Sequence, residues 1–516
     1  MDNLLGIDFG TSGTKLILMS LQGEIIARAH REYDIKSPQF NWSEQDPRVW
    51  WQALEKCVQE IKAAVGKEKL KTVKAIGLSG QMHGAVFVDK KGEPLYPCIL
   101  WADNRSEKEC EIIKENLGSQ AIYKITGNPI TPTFTAPKIM WFKNNKTGLY
   151  RKTHKILMPK DFINYKLTGK FQTDFSDASG TLLFNIKEKK WSSEIFEKLQ
   201  LDMNKHPEIK LSSRISASLT VKAAERLDLK PGIPVMVGAG DLACGALGSR
   251  SIEEGSASVT IGTAGQVVVT SEQIHEDSWG KVYNFCHGLK DKYFNLASIL
   301  CAGLSLKWFK NNISQIENIV ARESGQNSFQ VLLQGIENVP PGAKGLIFLP
   351  HLNGAGTPHM DNKARGVFVG LTPDHSKKEM IRAILEGVTY GLRECLAACR
   401  EVGIDIEDIT VAAGGAKSKV WQEIQANIFN QEISTLQVTD TAPLGAAIIA
   451  AVGQGKFDNL EDASQFYVRE QEKISPQSDQ AEIYSKYYTQ FKKLYPDLKD
   501  FFNTLYDLPK KEVENK

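Results

Sequence analysis

Acids that close apolar runs are the first residues in this chain that could do chemistry. Asp8 ends the run LLGID and is followed at once by FGTSGTK, a turn built from Gly10, Thr11, Ser12 and Gly13 with Lys15 just behind it. Such a turn aims successive backbone N–H groups and hydroxyls at one spot, which suits a phosphate. The carboxylate beside it suits Mg²⁺, an ion that takes one or two acidic ligands and fills its other positions with water and phosphate oxygens. A plain hairpin with a polar turn is the competing reading. Against it stands a second copy, VTIGTAGQVVV at 259–269, whose Gly262-Thr263 pair follows Gly10-Thr11 by about half the chain.

Asp241 arrives just past the apolar run IPVMVG, at the carboxyl end of an expected strand and before the helix-like DLACGALG. Ligands of open α/β sheets gather at that edge. Gly238, Gly240 and Ala243 imitate a dinucleotide fingerprint, but Asp241 would stand where the pyrophosphate must lie and repel it. A carboxylate there is better used to accept a proton from a hydroxyl; a simple helix cap is its plain alternative. A third turn, Gly414-Gly415 in ITVAAGGAKSKVW, lets a flat ligand approach backbone, and the following helix start favours an anion. No GxxxxGK[ST] occurs, so phosphate binding is expected from hairpins. The segments NWSEQDP (41–47), GQMHG (80–84) and LWADNRS (100–106) suit a hydroxyl-rich ligand. Trp101 can stack on a sugar face while Gln81, His83 and Asp103 bond its hydroxyls. Asp103 reads equally as a cap for the helix that follows, His83 as a structural histidine, and Arg105 as an ordinary surface charge.

The elements that must hold these residues alternate between strand and helix. LLGID, TKLILMS and GEIIARAHREY read as an antiparallel meander. PRVWWQALEKCVQEIKAAV has helical spacing at Val49, Leu54, Val58 and Ile61, with Pro47 suited to its first turn. Two Gly/Ala-rich segments, 240–249 and 439–453, each follow an acidic turn, and small residues allow close helix packing. These patterns predict a mixed α/β sheet in each of two related halves: 1–249 with the sugar-facing acids, and 250–455 with the second hairpin. A polar linker then leads into a helical extension over 456–516, whose Tyr484, Tyr487, Phe491 and Leu494 share a face that packs on the second half.

Composition narrows the classes further. The 516 residues carry 63 Lys+Arg against 61 Asp+Glu, which gives no electrostatic case for nucleic acid. Hydrophobic residues at 42% and charged residues at 24% are ordinary for a globular chain. No run approaches the ~18 apolar residues of a membrane span, and acids at Asp2 and Asp8 interrupt any signal-like stretch. Eight dispersed cysteines without a CxxC predict neither disulfides nor a metal cage. The expectation is a reduced, cytoplasmic protein.

The ordered series DFGTSGTK, WSEQDP, GQMHG, LWADNR, TAPKIMWF, MPKDF, GAGD, TIGTAG, GVFVGL and GGAKS resembles the FGGY family of carbohydrate kinases from Asp8 to about Gly453. That resemblance implies two ribonuclease H-like, actin-type ATPase domains around a central cleft. The implied reaction is ATP-dependent phosphorylation of a ketose at its primary hydroxyl, with ATP as co-substrate and Mg²⁺ as cofactor. It implies Asp241 as the base and Asp8 as the metal-associated acid. Met82 and His83 match the family's sugar contacts, and Thr11, Ser12, Thr263, Gly303 and Gly415 its nucleotide contacts. D-xylulose is the expected sugar, with ribulose or gluconate as the alternative. The partners implied are a small sugar, ATP and, as is common in that family, a second copy in a homodimer. Two departures stand out: Leu242 replaces the Asn common after the base, and Gly354-Ala355-Gly356-Thr357-Pro358 lacks the usual Glu and Arg. A nucleotide-gated binding protein on the same fold is the rival from another class, and intact Asp8 and Asp241 argue against it. A nicotinamide dehydrogenase is weaker still.

Overall fold

Strand pairing in the first half follows the apolar pattern closely. In a computed structural model, which describes residues 2–275 and 280–514 (side chains to 508), the first apolar run is β1 (Asn3–Phe9), buried on both faces. It pairs antiparallel with β2 (Gly13–Ser20), which pairs in turn with β3 (Ile25–Glu32). On its other side β1 runs parallel to β4 (Val73–Gly80). The sheet continues through β5 (Ile215–Ser218), β6 (Pro234–Met236) and the two-residue β7 (Ala239–Gly240), in the order β5-β6-β4-β1-β2-β3 with β7 also on β4. Double-sided burial explains why β1 and β4 read as continuous apolar runs, while β3 at the edge alternates with charge.

The second half repeats this plan. Six strands of its main sheet carry the repeat: β8 (Ser256–Ile261), β9 (Gly265–Ser271), β10 (Tyr293–Ile299), β11 (Asp408–Ala413), β12 (Ile433–Leu436) and β13 (Glu470–Ile474). Their order is β10-β9-β8-β11-β12-β13. A hairpin (β8–β9) gives way to two parallel neighbours and an antiparallel edge strand, as in the first sheet. The duplicated Gly-Thr turns therefore occupy equivalent places in two equivalent sheets. The chain divides into two compact units: Met1–Glu254 with Thr270–Phe294 and Asp440–Arg469, and Gly255–Val269 with Asn295–Thr439 and Glu470–Lys516.

The first core forms between the sheet and the helix Arg48–Val65, which buries Trp50, Leu54, Val58 and Ile61 against Leu5, Ile7 and Leu78. Each such side chain contributes roughly 1.5–3 kcal/mol of apolar burial. Pro47 precedes the first turn, as its fixed φ allows. The opposite face is covered by the Gly/Ala helix Thr441–Gly453, which packs on the helix Asp241–Gly248 so closely that a Cβ on Gly445 would sit 1.9 Å from the Cys244 carbonyl oxygen. Both small-residue helices thus belong to the first unit. In the second unit the helix Lys377–Glu401 buries Arg382, Glu386 and Tyr390, and the terminal helix Ser478–Glu514 docks on it. Tyr484 and Phe491 are buried as expected, whereas Tyr488 and Tyr495 are buried rather than Tyr487 and Leu494. The Tyr484 hydroxyl bonds Glu386 Oε1 at 3.0 Å. All eight cysteines are buried and free, and among the described residues no helix is long and apolar enough to cross a membrane.

Candidate active site

Asp8 lies near the end of β1, where the sheet register pairs it with Lys15 on β2 and Ser79 on β4. The Ser79 hydroxyl donates to its Oδ1 at 2.7 Å. Burial raises the Asp8 carboxyl above its ordinary value, partly offset by Ser79 and Lys15 and reinforced by the charge of Asp440. Lys15 itself is paired with Asp440 at 2.6 Å. Asp241 is the first residue inside its helix, and its Oδ1 accepts from the Leu242 N–H at 2.9 Å. It is therefore not the cap; Gly240 is. Burial, then repulsion from Asp8, pushes the Asp241 carboxyl up to about 8. An acid with an ordinary pKa would be fully ionised at pH 7; this one is held mostly protonated there by its surroundings.

Asp8 thus lies in electrostatic range of both Asp440 and Asp241, and the Lys15 ammonium offsets part of that negative charge. That excess of negative charge fits a divalent cation better than it fits an empty structural pocket. Among the described residues no group of three or more His, Cys, Asp or Glu is placed to hold a metal ion by itself. Asp8 is the carboxylate that would hold such an ion. Sequence reasoning marks Asp440 only as part of an acidic turn, because its link to Lys15 spans 425 positions and leaves no local trace.

The turn after β1 is tight, with Gly10 N–H bonded to Gly13 O at 3.1 Å. Ser12 is exposed. Thr11 accepts at its Oγ1 from the Trp101 indole N–H at 2.9 Å, and at its carbonyl from Gln45 Nε2 at 2.7 Å. Trp101 therefore steadies this turn. Gln81, Met82 and His83 follow β4 directly. Gln81 donates to Gln45 at 3.1 Å, and its own Oε1 is buried without a partner among the described residues. The Met82 thioether lies against Gly240, one residue before Asp241. Gly240 N–H is in turn held by Ser176 Oγ at 2.9 Å, and Ser176 by Asp174 at 2.6 Å. Lys160, fully buried, spans Asp161, Asp174 and Asp177 behind this strand.

Asp103 is fully buried, and its carboxylate is occupied from within. It accepts from Ser43 N–H at 2.5 Å and from Arg105 through the backbone N–H, Nε and Nη2 at 3.0, 2.8 and 2.7 Å. Arg105 is no surface charge: its side chain is 1% exposed, pairs also with Glu44, and stacks 3.5 Å above the Trp42 ring. A one-sided view of the string WADNRS cannot show that two of its charges neutralise each other inside the fold.

In the second unit the remaining predicted residues come together at the end of β8. Thr263 tops the β8–β9 turn and is exposed. Its carbonyl accepts from Ala302 and Leu304 N–H at 3.0 and 3.1 Å, while Gly303 N–H bonds Gly262 O at 2.9 Å. A Cβ at Gly303 would stand 2.4 Å from that oxygen, so only glycine lets the helix Gly303–Asn312 start against the turn. Gly415 lies on the Ile261 side chain from the other direction. Thr263, Gly303 and Gly415, widely separated in sequence, thus surround one strand end.

Comparison with known proteins agrees with this plan. Residues 3–248 match the FGGY family of carbohydrate kinases, N-terminal domain, and residues 257–453 match its C-terminal domain. The chain is 34% identical to the xylulose kinase of Bacillus subtilis over 98% of its length and 99% of that protein's. It is 31% identical to the gluconokinase of the same organism over 89% of each. The crystal structure of xylulose kinase from Rhodospirillum rubrum superposes with a TM-score of 0.84 at 27% identity, covering 97% of this chain and all of that one. With both domains matched in order, and the duplicated turns and two acids in place, this chain belongs to the FGGY family of carbohydrate kinases and is an ATP-dependent sugar kinase.

Proposed function

We propose that the chain transfers the γ-phosphoryl group of ATP to the primary hydroxyl of D-xylulose, with Asp241 as the base. The observation that carries this reading is the place of the Asp241 carboxyl, partly exposed at a helix start just past the end of β7 and in electrostatic range of Asp8. Its raised proton affinity makes the ionised form a stronger acceptor for a hydroxyl proton. In the step, the sugar oxygen attacks phosphorus, its proton passes to Asp241 Oδ, and the bond to the β-phosphate oxygen breaks to release ADP. Mg²⁺ beside Asp8 would supply charge neutralisation at the phosphates.

Residues 1–249 would carry the base and the sugar contacts, Met82 and His83 with Gln81 beside them. Asp103, consumed by Arg105, would act on the sugar only through its neighbours. Residues 250–455 would carry the nucleotide contacts Thr263, Gly303 and Gly415, with Thr11 and Ser12 of the first turn directed at phosphate, and 456–516 would brace the second unit. Xylulose is favoured because the Bacillus subtilis xylulose kinase matches over nearly the whole chain; gluconate is the second reading, favoured by the gluconokinase match. A coupled ADP-release assay over D-xylulose, D-ribulose, D-gluconate and glycerol tests the assignment. The highest kcat/KM is expected with D-xylulose. A higher value with gluconate would transfer the assignment to that sugar acid.

A further inference from the structure

A lysine buried with no carboxylate in hydrogen-bond reach among the described residues is an expensive feature, and Lys138 is one. It lies in the helix Thr135–Asn145 and is 0% exposed. Its ammonium donates to two backbone carbonyls, those of Thr133 and of His83, the latter at 3.1 Å. Asp103 contributes only at longer range, and burial dominates, drawing the ammonium down to about 7. Removing a charge from water for two carbonyls is unfavourable for the fold by itself, so the placement calls for another reason.

That reason lies in His83. Its φ of 66° puts a bulky residue in the left-handed region, where L side chains are disfavoured. The conformation is held from several sides. Lys138 Nζ and Thr135 Oγ1 both donate to the His83 carbonyl, at 3.1 and 3.2 Å. The ring Nδ1 lies 2.8 Å from Gly180 O, and Phe134 and Phe285 pack on the ring at 5.1 and 5.6 Å. Gly180 O can only accept, so Nδ1 carries the proton. Burial draws the imidazole down to about 4, so the ring is neutral at pH 7 and its Nε2 is a lone-pair acceptor. Thus this turn presents a hydrogen-bond acceptor of fixed direction, suited to a donating hydroxyl and not to a carboxylate.

We propose that Lys138 is a positioning residue that locks the strained His83 turn so that His83 Nε2 accepts a hydrogen bond from a sugar hydroxyl. The proposal rests on the reading that His83 contacts the sugar. The experiment therefore pairs Lys138→Met and Lys138→Gln with His83→Ala. It measures KM for D-xylulose, KM for ATP, kcat and melting temperature, using in place of D-xylulose whichever screened sugar the wild type turns over best. The expected result is a sugar KM raised at least tenfold in Lys138→Met, with ATP KM within twofold of wild type and the melting temperature equal or higher. Lys138→Gln, which keeps a donor, should recover part of the sugar KM. Calorimetric titration of the same sugar into the variants should show the same loss of affinity in the absence of turnover. If His83→Ala leaves the sugar KM unchanged, the underlying site reading fails. If His83→Ala raises it but Lys138→Met does not, or if Lys138→Met raises both KM values equally, the positioning role is overturned. Should Lys138→Met fail to fold, an unchanged sugar KM in Lys138→Gln overturns it alone.

Discussion

Replacing Asp241 by Asn should stabilise the protein, and the gain should grow with pH. In the folded chain the carboxyl titrates at about 8, against 3.8 for a free aspartate. A raised folded value means that the folded state holds a proton the unfolded state has released. Stability linked to this group is complete below about pH 4 and is lost progressively as pH rises to 8, after which the loss is constant. Between pH 5 and pH 8 the full shift corresponds to about 4 kcal/mol at about 1.4 kcal/mol per unit. Asp241 is partly exposed, so solvent screening and local relaxation reduce this to about 2 kcal/mol. Asn keeps the shape and cannot ionise. The melting temperature of Asp241→Asn minus that of wild type should therefore increase by about 3 °C from pH 5 to pH 9, for a unit of this size. The assay is thermal unfolding followed by intrinsic fluorescence, without nucleotide or metal, so that no ligand neutralises the acids. Taking the difference cancels remote groups that titrate in the same window; the relief of Asp8, which is coupled to Asp241, adds to the gain in the same direction. Parallel curves for the two proteins across that range would refute the raised carboxyl and the repulsion from Asp8.

Thr263→Ala should raise the KM for ATP several-fold and leave the sugar KM within twofold; equal changes in steady-state kinetics would remove the β8–β9 turn from the nucleotide. Lys160→Met should cost about 3–5 kcal/mol in urea unfolding, because it strands Asp161, Asp174 and Asp177 in the interior without their counter-charge. A loss under about 1 kcal/mol would refute the role of Lys160 as the counter-charge of this cluster. Tyr484→Phe removes the hydroxyl that bonds buried Glu386 and should cost about 1.5–3 kcal/mol by the same measurement, with both KM values unchanged.

Local chemistry was the legible part of this molecule. Each Gly-Thr hairpin is a contiguous string whose turn residues and flanking apolar runs fall within about ten positions, so both β1–β2 and β8–β9 could be read from spacing. Asp241 was legible for the same reason, as an acid just past an apolar run. What stayed hidden depends on distant partners. Asp440 reaches Lys15 only because the helix Thr441–Gly453 folds back onto the first sheet. Asp103 looks free until Arg105 and Ser43 close around it. Lys138, inside the quoted string TAPKIMWF, has the look of a surface lysine; its burial and its grip on His83 are decided by packing that no period of 2 or 3.6 encodes. The elevated carboxyl of Asp241 is likewise a property of its surroundings and not of its type.

The most direct test of the account is the turnover of Asp241→Ala beside wild type, at saturating ATP, Mg²⁺ and D-xylulose, read as coupled ADP release. The account predicts a kcat at least ~10²-fold lower, the usual scale for loss of a general base, in a variant that still binds both substrates. Turnover within a few-fold of wild type on D-xylulose and on every other sugar in the screen would contradict it.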